Sequence, residues 1–425
     1  MLTLLAQVRS GGRHLAPALD QALRGVERRE ARAFVTDLVY GTLRHARLLE
    51  AALAPRLAQP ERLPERVRLA LLAGAYERLV RGTPAHAAVH AWVELVKRGP
   101  TPQRRLSSLV NAVLRRLSPD DLPSPAGAHS LPPWLFTALE QALGTEPAER
   151  AARGMLAPAP LWLSAPDADA ATARLEHDGA EVRPGPLTGS LRVRSPQPLG
   201  RLAAYREGLV QPQNPASLAV VQACGDVRGV RVLDLCGGNG IKAAALAAAG
   251  AHVTSVERDA RKLRAAATNA DRLGVHVDAL VWDLTSPPPL PPAPVVLLDA
   301  PCSGTGTLRG HPEIALRLTP DAVARLAHLQ GQLLQSALAC LAPGGRLVYA
   351  VCALTADEGP EQVEALLARE RGLHAEAPLL PLEGTLAVGP GRFILPEDGL
   401  DGFYVAVLSR RGAVPPRLTS AGATR

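Results

Sequence analysis

From about residue 211 onward the chain alternates two kinds of apolar pattern, and this alternation restricts the fold more than any other feature. Short runs rich in Val and Leu read as strands: "VRVLDLC" (230–236), "HVTSVE" (252–257), "DALVWD" (278–283), "PVVLLDA" (294–300), "RLVYAVC" (346–352) and "FYVAVLS" (403–409). Between them, stretches such as "KAAALAAAG" and "ARLAHLQGQLLQSALACLA" carry the helical period, while "SPPPLPPAP" (286–294) reads as a stiff surface loop. Strands separated by helices predict a parallel sheet covered on both faces. Ligands of such sheets bind beyond the carboxyl ends of the strands, so the residues that end these runs are the first candidates for function.

The rest of the chain is organised differently. Residues 1 to about 117 read as helices throughout, with "EARAFVTDLVYGTLRHARLLEAAL", "PERVRLALLAGAYERLV" and "LSSLVNAVLRRL" spacing apolar residues at three and four, and Gly82, Pro84, Gly99 and Pro100 as punctuation. A Pro-, Asp- and Ser-rich segment, "SPDDLPSPAGAHSLP" (118–132), reads as a linker. Next comes a mixed region with the helical "PPWLFTALEQAL", the strand candidates "LWLSA" and "LRVRS", and the helical "DAATARLEHDG" between them. The expected domains are therefore an all-α one at 1–132, a small α+β module at 133–210 and an α/β domain at 211–412, ending in a flexible tail at 413–425. No period of 20–50 residues repeats, which excludes a solenoid.

Charge is distributed unevenly over this plan. Residues 1–117 hold 20 Lys and Arg against nine Asp and Glu, a local balance of +11, which leaves the remainder at −4 of the overall +7. A basic front of this kind attracts phosphate backbones. No apolar run approaches the roughly 18 residues of a membrane span, and the start "MLTLLAQVRSGGRHL" lacks a signal peptide's apolar region and cleavage site. The expectation is a soluble, cytoplasmic protein without a membrane partner. Five cysteines, an odd number scattered over a long chain, argue for reduced thiols rather than a disulfide framework. No close cluster of Cys and His provides a metal site.

The first strand runs into "DLCGGNGIK" (234–242) and then a helix. Gly237, Gly238 and Gly240 let the backbone turn tightly and approach a ligand, and the helix start offers free N–H groups. Glu257 closes the next strand 17 residues after Gly240, a placement that suits hydrogen bonding to ribose hydroxyls. Asp283 and Asp299, at the ends of the third and fourth strands, extend the acidic edge. The spacing departs from G-x-G-x-x-G, which counts against NAD and leaves another adenosine-bearing cofactor. Lys242 is one of three lysines among 44 arginines, pointing to a place where a compact ammonium is wanted.

Two strand ends also deliver a thiol: Cys302 in "LLDAPCSGTGTLRGHPEI" (297–314) and Cys352 in "RLVYAVCAL" (346–354). With Cys236, Asp283 and Asp299 they converge on one crevice. Cys224 and Cys340 fall in helical patterns and read as small buried hydrophobes. A deprotonated thiol is a nucleophile. An aromatic base such as cytosine has an unreactive C5, but thiolate addition at C6 makes C5 electron-rich enough to accept a methyl group. The C5 proton must then leave and the thiol be expelled, so two thiols serve two steps, and an aspartate beside them can hydrogen-bond N3. The pattern alone does not say which thiol does which.

These segments resemble a known family. "VLDLCGGNGIK", "LLDAPCSGTGTLRGHPEI" and "LVYAVCALTADEG" are similar to motifs I, IV and VI of the Nol1/Nop2/Sun RNA cytosine-5 methyltransferases. "VQPQNPAS" (210–217) resembles the segment preceding their cofactor domain, and "LPEDGLDGFYVAVL" their final strand. "LVYGTLRHARLLEAAL", "GTPAHAAVHAWVELVKR" and "LVNAVLRRL" resemble the NusB-like helical domain of the bacterial Sun/RsmB group, so the likeness spans nearly the whole chain. It implies a Rossmann-like methyltransferase domain with a mixed sheet and reversed last strand, S-adenosylmethionine as cofactor, and a cytosine of small-subunit ribosomal RNA, naked or in an early assembly particle, as target. Carried over by position, the loop Cys236, Gly237, Gly238, Asn239, Gly240, Ile241 and Lys242 holds the methionine part of the cofactor, Glu257 the ribose, Asp283 the adenine side, and Asp299 the site between cofactor and base. The same resemblance makes Cys352 the nucleophile and Cys302 the residue that assists release.

The chain also departs from the family pattern. Gly237, Gly238, Asn239 and Ile241 replace the Ala-Ala-Pro and second Gly of motif I, and Val351 and Ala353 replace the hydroxyl residues flanking the motif VI cysteine. Asn tolerates left-handed backbone, which suits Asn239 to the turn, whereas the branched Ile241 is expected to alter cofactor affinity. The alternative reading is an RNA-binding or ribosome-assembly factor on the same scaffold with weakened cofactor binding. A third, methylation of a small molecule or protein, is opposed by the basic helical domain and the paired cysteines.

Overall fold

Every strand expected from the alternation is present, joined by others that the pattern did not show. The computed structural model describes residues 1–11, 13–123 and 129–412; the middle of the expected linker (124–128) and the expected tail (413–425) lie outside the described residues. The strands are β1 (Leu161–Ser164), β2 (Glu181–Pro184), β3 (Ser190–Arg194), β4 (Gln211–Pro212), β5 (Arg231–Leu235), β6 (His252–Glu257), β7 (Val277–Val281), β8 (Ala293–Asp299), β9 (Leu341–Val351), β10 (Leu373–Glu376), β11 (Leu386–Val388), β12 (Gly391–Ile394) and β13 (Phe403–Arg410).

The large sheet has the order β11-β12-β13-β9-β8-β5-β6-β7, with β10 also on β13. Strands β5 to β9 run parallel, and β13 is reversed, pairing Val407 with Val348 of β9. The mixed sheet with a reversed last strand is thus observed, although β13 lies inside the sheet because β12 and β10 flank it. Parallel strands covered on both faces need apolar residues at successive positions. Accordingly Val232, Leu233, Val296, Leu297, Leu298, Val348, Tyr349 and Val405 are all fully buried. The register sets Leu298 beside Tyr349 and Asp299 beside Ala350, so the loops leaving β8 and β9 emerge next to each other.

The smaller sheet, β2-β3-β1-β4, is antiparallel and packs on the helix Ala168–His177, whose first turn is capped by Asp167 accepting from Ala170 N–H. Helix Pro215–Gln222 leads into β5; Asn214 caps it by accepting from Ala216 N–H, and Pro215 takes the first helical position. That local chemistry accounts for the "QNPAS" sequence.

Contacts divide the described chain into two compact units that do not follow a single boundary. One is helical and comprises residues 1–140, 145–158 and 308–318; the other comprises 141–144, 159–307 and the chain from 319 onward. Of residues 133–210, expected as one module, 133–140 and 145–158 group with the helical unit, and 141–144 and 159–210 with the large sheet. The helical unit closes over Leu5, Leu15, Leu49, Leu69, Leu71, Leu72 and Leu114, all essentially without exposure. Its segment 308–318 is held by polar ties: Arg44 Nε donates to the Arg309 carbonyl at 3.1 Å, the buried Arg309 donates to the Gly154 carbonyl at 2.7 Å, and Leu15 N–H donates to Glu313 at 3.1 Å. This segment directly follows the Pro-Cys loop, a placement no periodicity argument anticipated. Among the described residues, no helix is long and apolar enough to cross a membrane.

Candidate active site

At the end of β5 the backbone turns left-handed at Cys236 (φ 62°), Gly238 (φ 56°) and Gly240 (φ 74°) before helix Ile241–Ala248 begins. Asn239, expected to suit that conformation, does not adopt it; a cysteine does instead, and Asn239 is exposed. Gly237 is required for a different reason: a Cβ there would lie 1.9 Å from Ser255 Oγ and 2.5 Å from Asp234 Oδ2. Glu257, at the end of β6, accepts from Gly238 N–H at 3.1 Å and from Asp259 N–H at 3.0 Å, so it braces the loop from below. Burial and the neighbouring Glu257, Asp299 and Asp234 carboxylates push the Cys236 thiol far above its usual range.

Beneath the loop lies Asp234, which has no exposure. Ser255 Oγ donates to its Oδ2 at 3.1 Å, while Oδ1 is buried without a partner. Burial, reinforced by Asp299, pushes its pKa up to about 7 against the pull of Lys242 and Ser255. Sequence reasoning missed Asp234 as a functional residue. The signal was present, since it is the one charged residue among the apolar positions 232–235.

Lys242, on the first turn of the following helix, reaches Asp299 at the end of β8 with Nζ 2.6 Å from Oδ2, and it lies over the ring of Phe403, 5.3 Å from its centroid. Burial disfavours the ammonium, but the charge and hydrogen bond of Asp299 outweigh it and raise the Lys242 pKa. Ile241 faces the second unit's own frame through its carbonyl, which accepts from Gln211 Nε2 at 2.9 Å.

The loops after β8 and β9 bring Cys302 and Cys352 together with their sulfurs 3.3 Å apart. Gly306 N–H donates to the Cys352 carbonyl at 3.0 Å, and Leu354 N–H donates to Thr305 Oγ1 at 2.9 Å. Gly306 also lies close against Gly402, where a Cβ on Gly306 would come 2.1 Å from the Gly402 carbonyl oxygen. The hydrogen bond to Cys352, burial and the Glu358 carboxyl group push the Cys302 thiol well above its ordinary range. Val351 and Ala353, which replace hydroxyl residues of the family pattern, are fully buried, so the exchange leaves no polar group stranded beside Cys352. Cys224 and Cys340 are buried as expected, with thiols pushed up to about 12 and about 11 by burial.

The expected residues thus converge, with one exception in degree. Asp283 lies two residues beyond β7 and is exposed, and its carboxylate accepts from Thr285 N–H at 2.9 Å, which lowers its pKa. Among the described residues, no group of three or more His, Cys, Asp or Glu is placed to hold a metal ion.

Comparison with known proteins bears on the family and the fold. A family model described as "16S rRNA methyltransferase RsmB/F" matches residues 225–409, and the NusB family model matches residues 2–119. Ribosomal RNA small subunit methyltransferase B of Thermus thermophilus is 44% identical over 410 residues, covering 96% of each chain. The protein of the same name from Xanthomonas campestris is 34% identical over 427 residues, covering 95% of each. Among solved structures, PH0851 superposes with a TM-score of 0.75 at 21% identity over 96% of this chain and 97% of that one. NSun6 from Pyrococcus horikoshii with SFG gives 0.60 at 17% identity over 66% and 99%. At those identities the structures speak to fold. The identity to the curated relatives along almost their whole length goes further, and this chain, a NusB domain joined to a methyltransferase domain, belongs to the 16S rRNA methyltransferase RsmB/F family.

Proposed function

We propose that this enzyme methylates C5 of a cytosine in small-subunit ribosomal RNA, with S-adenosylmethionine as donor and a covalent bond from Cys352 to C6 of the base as intermediate. The observation that carries the reading is the pair of thiols 3.3 Å apart on adjacent strand ends, beside the Lys242–Asp299 ion pair. One sulfur suffices for a nucleophile; a second at contact distance serves a reaction with a separate release step.

The loop fits the cofactor. Asp234 Oδ1 is a buried acceptor without a partner, and the Cβ position of Gly238 meets only the Cys236 carbonyl oxygen, at 3.9 Å, so the loop's outer side is open. Cys236 to Lys242 would hold the methionine part, Glu257 the ribose and Asp283 the adenine side. When bound, S-adenosylmethionine supplies an electrophilic methyl group. The chain's residues do the rest. Cys352 adds to C6 as a thiolate, Asp299 faces the N3 edge of the base and accepts from its exocyclic amine, and Lys242 keeps Asp299 oriented. After methylation the C5 proton departs, the C6–sulfur bond breaks, and Cys352 leaves as a thiolate. Cys302, with its sulfur 3.3 Å from that of Cys352, takes that proton when ionised. The basic helical domain seats the RNA, naked or in an early assembly particle, and the reaction belongs to the cytoplasm.

The test is incubation with methyl-labelled S-adenosylmethionine and unmodified small-subunit rRNA, digestion to nucleosides and mass spectrometry, with Cys352→Ala alongside. Label in 5-methylcytidine that is absent from the variant is the expected result. Label in another nucleoside, or equal label with the variant, overturns it.

A further inference from the structure

Glu358 is fully buried, six residues past Cys352, and the chemistry above gives it no part. Its carboxyl group receives four hydrogen bonds. Ser303 N–H donates to Oε1 at 2.7 Å and Gln330 Nε2 to the same oxygen at 3.1 Å; the hydroxyls of Ser303 and Thr355 donate to Oε2, the latter at 3.0 Å. This is the full complement a carboxylate accepts. Every one of these partners is a neutral donor, so no cation explains why the group is buried there. A buried carboxylate is costly unless hydrogen-bonded, and an apolar side chain would fill the space without that demand.

The location of the partners supplies the reason. Gln330 Nε2 also donates to the Pro301 carbonyl at 3.0 Å, so the residues on both sides of Cys302 are tied to one cluster. Gln330 keeps its amide nitrogen turned inward for this although its own oxygen is left buried without a partner. Thr355 belongs to the loop after Cys352, and Tyr349 Oη fixes the Glu358 carbonyl at 2.7 Å. One carboxyl group therefore joins the loop of the first thiol to the loop of the second.

We infer that Glu358 is a positioning residue for the release step, clamping the Pro301–Ser303 backbone so that Cys302 stays in reach of the adduct on Cys352. The inference rests on the covalent reading of the previous section. Cys352 follows directly on the last residue of β9, which is paired with β8 and β13, whereas Cys302 depends on the clamped loop, so losing Glu358 should displace Cys302 more than Cys352 and uncouple the two steps.

The experiment follows single-turnover formation and decay of the denaturant-stable protein–RNA adduct with small-subunit rRNA and S-adenosylmethionine, in the full chain. Glu358→Ala is expected to form the adduct within about threefold of the wild-type rate but to resolve it at least about tenfold more slowly, with unchanged cofactor affinity by calorimetry. Glu358→Gln, which keeps shape and one acceptor oxygen, should recover most of the resolution rate. If Glu358→Ala fails to fold, Ser303→Ala and Gln330→Ala, each removing one donor, should slow resolution in the same direction. Wild-type resolution in the folded variants overturns the inference, and so does equal slowing of formation and resolution. The Cys302→Ala control separates the two claims: an adduct there but unaltered kinetics in the Glu358 variants sinks the clamp alone, whereas no adduct in any of them sinks the covalent reading and the clamp with it.

Discussion

The loop after β5 and the corner between β8 and β9 lie on one edge of the same sheet and are built by opposite means. The loop is mostly backbone: three left-handed residues, exposed Asn239, and a buried aspartate with one oxygen unpaired. In the corner, side chains knit two loops together and both oxygens of Glu358 are engaged. A site for a reversible ligand leaves polar groups open for that ligand to complete. A site for covalent chemistry must hold two sulfurs at a set separation through bond making and breaking, and it has no such slack.

Breaking the corner should have the largest effect. Cys352→Ala is expected to lower methyl transfer by about 10⁴-fold or more and to form no covalent RNA complex, read by label incorporation and denaturing gels. Next comes the loop. The folded-state pKa of Asp234, about 7, stands roughly three units above the unfolded value. Its contribution to stability is therefore fully present below about pH 4, falls as pH rises, and is exhausted above about pH 7, a loss on the order of 4 kcal/mol. Asp234→Asn should flatten that slope in the free protein and raise its Tm at pH 8, while weakening S-adenosylmethionine binding. A Tm–pH curve identical to wild type would mean that Asp234 is not the buried charge the loop carries.

Smaller again is Cys302→Ala, expected to slow turnover by about 10²-fold while adduct accumulates; normal turnover without adduct would remove Cys302 from the release step. Smallest is the helical domain. Reversing the exposed Arg24, Arg28 and Arg29 to Glu should weaken rRNA binding and make its salt dependence shallower by up to about one unit of slope per lost phosphate contact. Unchanged affinity and slope would show that those charges are merely solvated.

The strands were legible because each needs a continuous apolar run, and their carboxyl ends named Cys236, Glu257, Asp299, Cys302 and Cys352. Strands β10 to β12 were not, being only three or four residues long, with no periodicity to separate them from loop. Asn239 was matched to a left-handed turn by its intrinsic tolerance, but the tolerance of a residue type does not say which position of a five-residue loop will need it.

Period and composition alone were enough to specify strand order in the chain, the helical front and its positive charge, and the resemblance of the motifs identified the family, because hydrophobic spacing and motif chemistry are local properties. Which groups meet is not local. That Asp299 pairs with Lys242, that residues 308–318 join the helical unit, and that Glu358 ties Ser303 to Thr355 depend on parallel register and on where buried polar atoms find partners. Those partners come from opposite ends of long sequence separations, and only packing brings them within hydrogen-bonding distance.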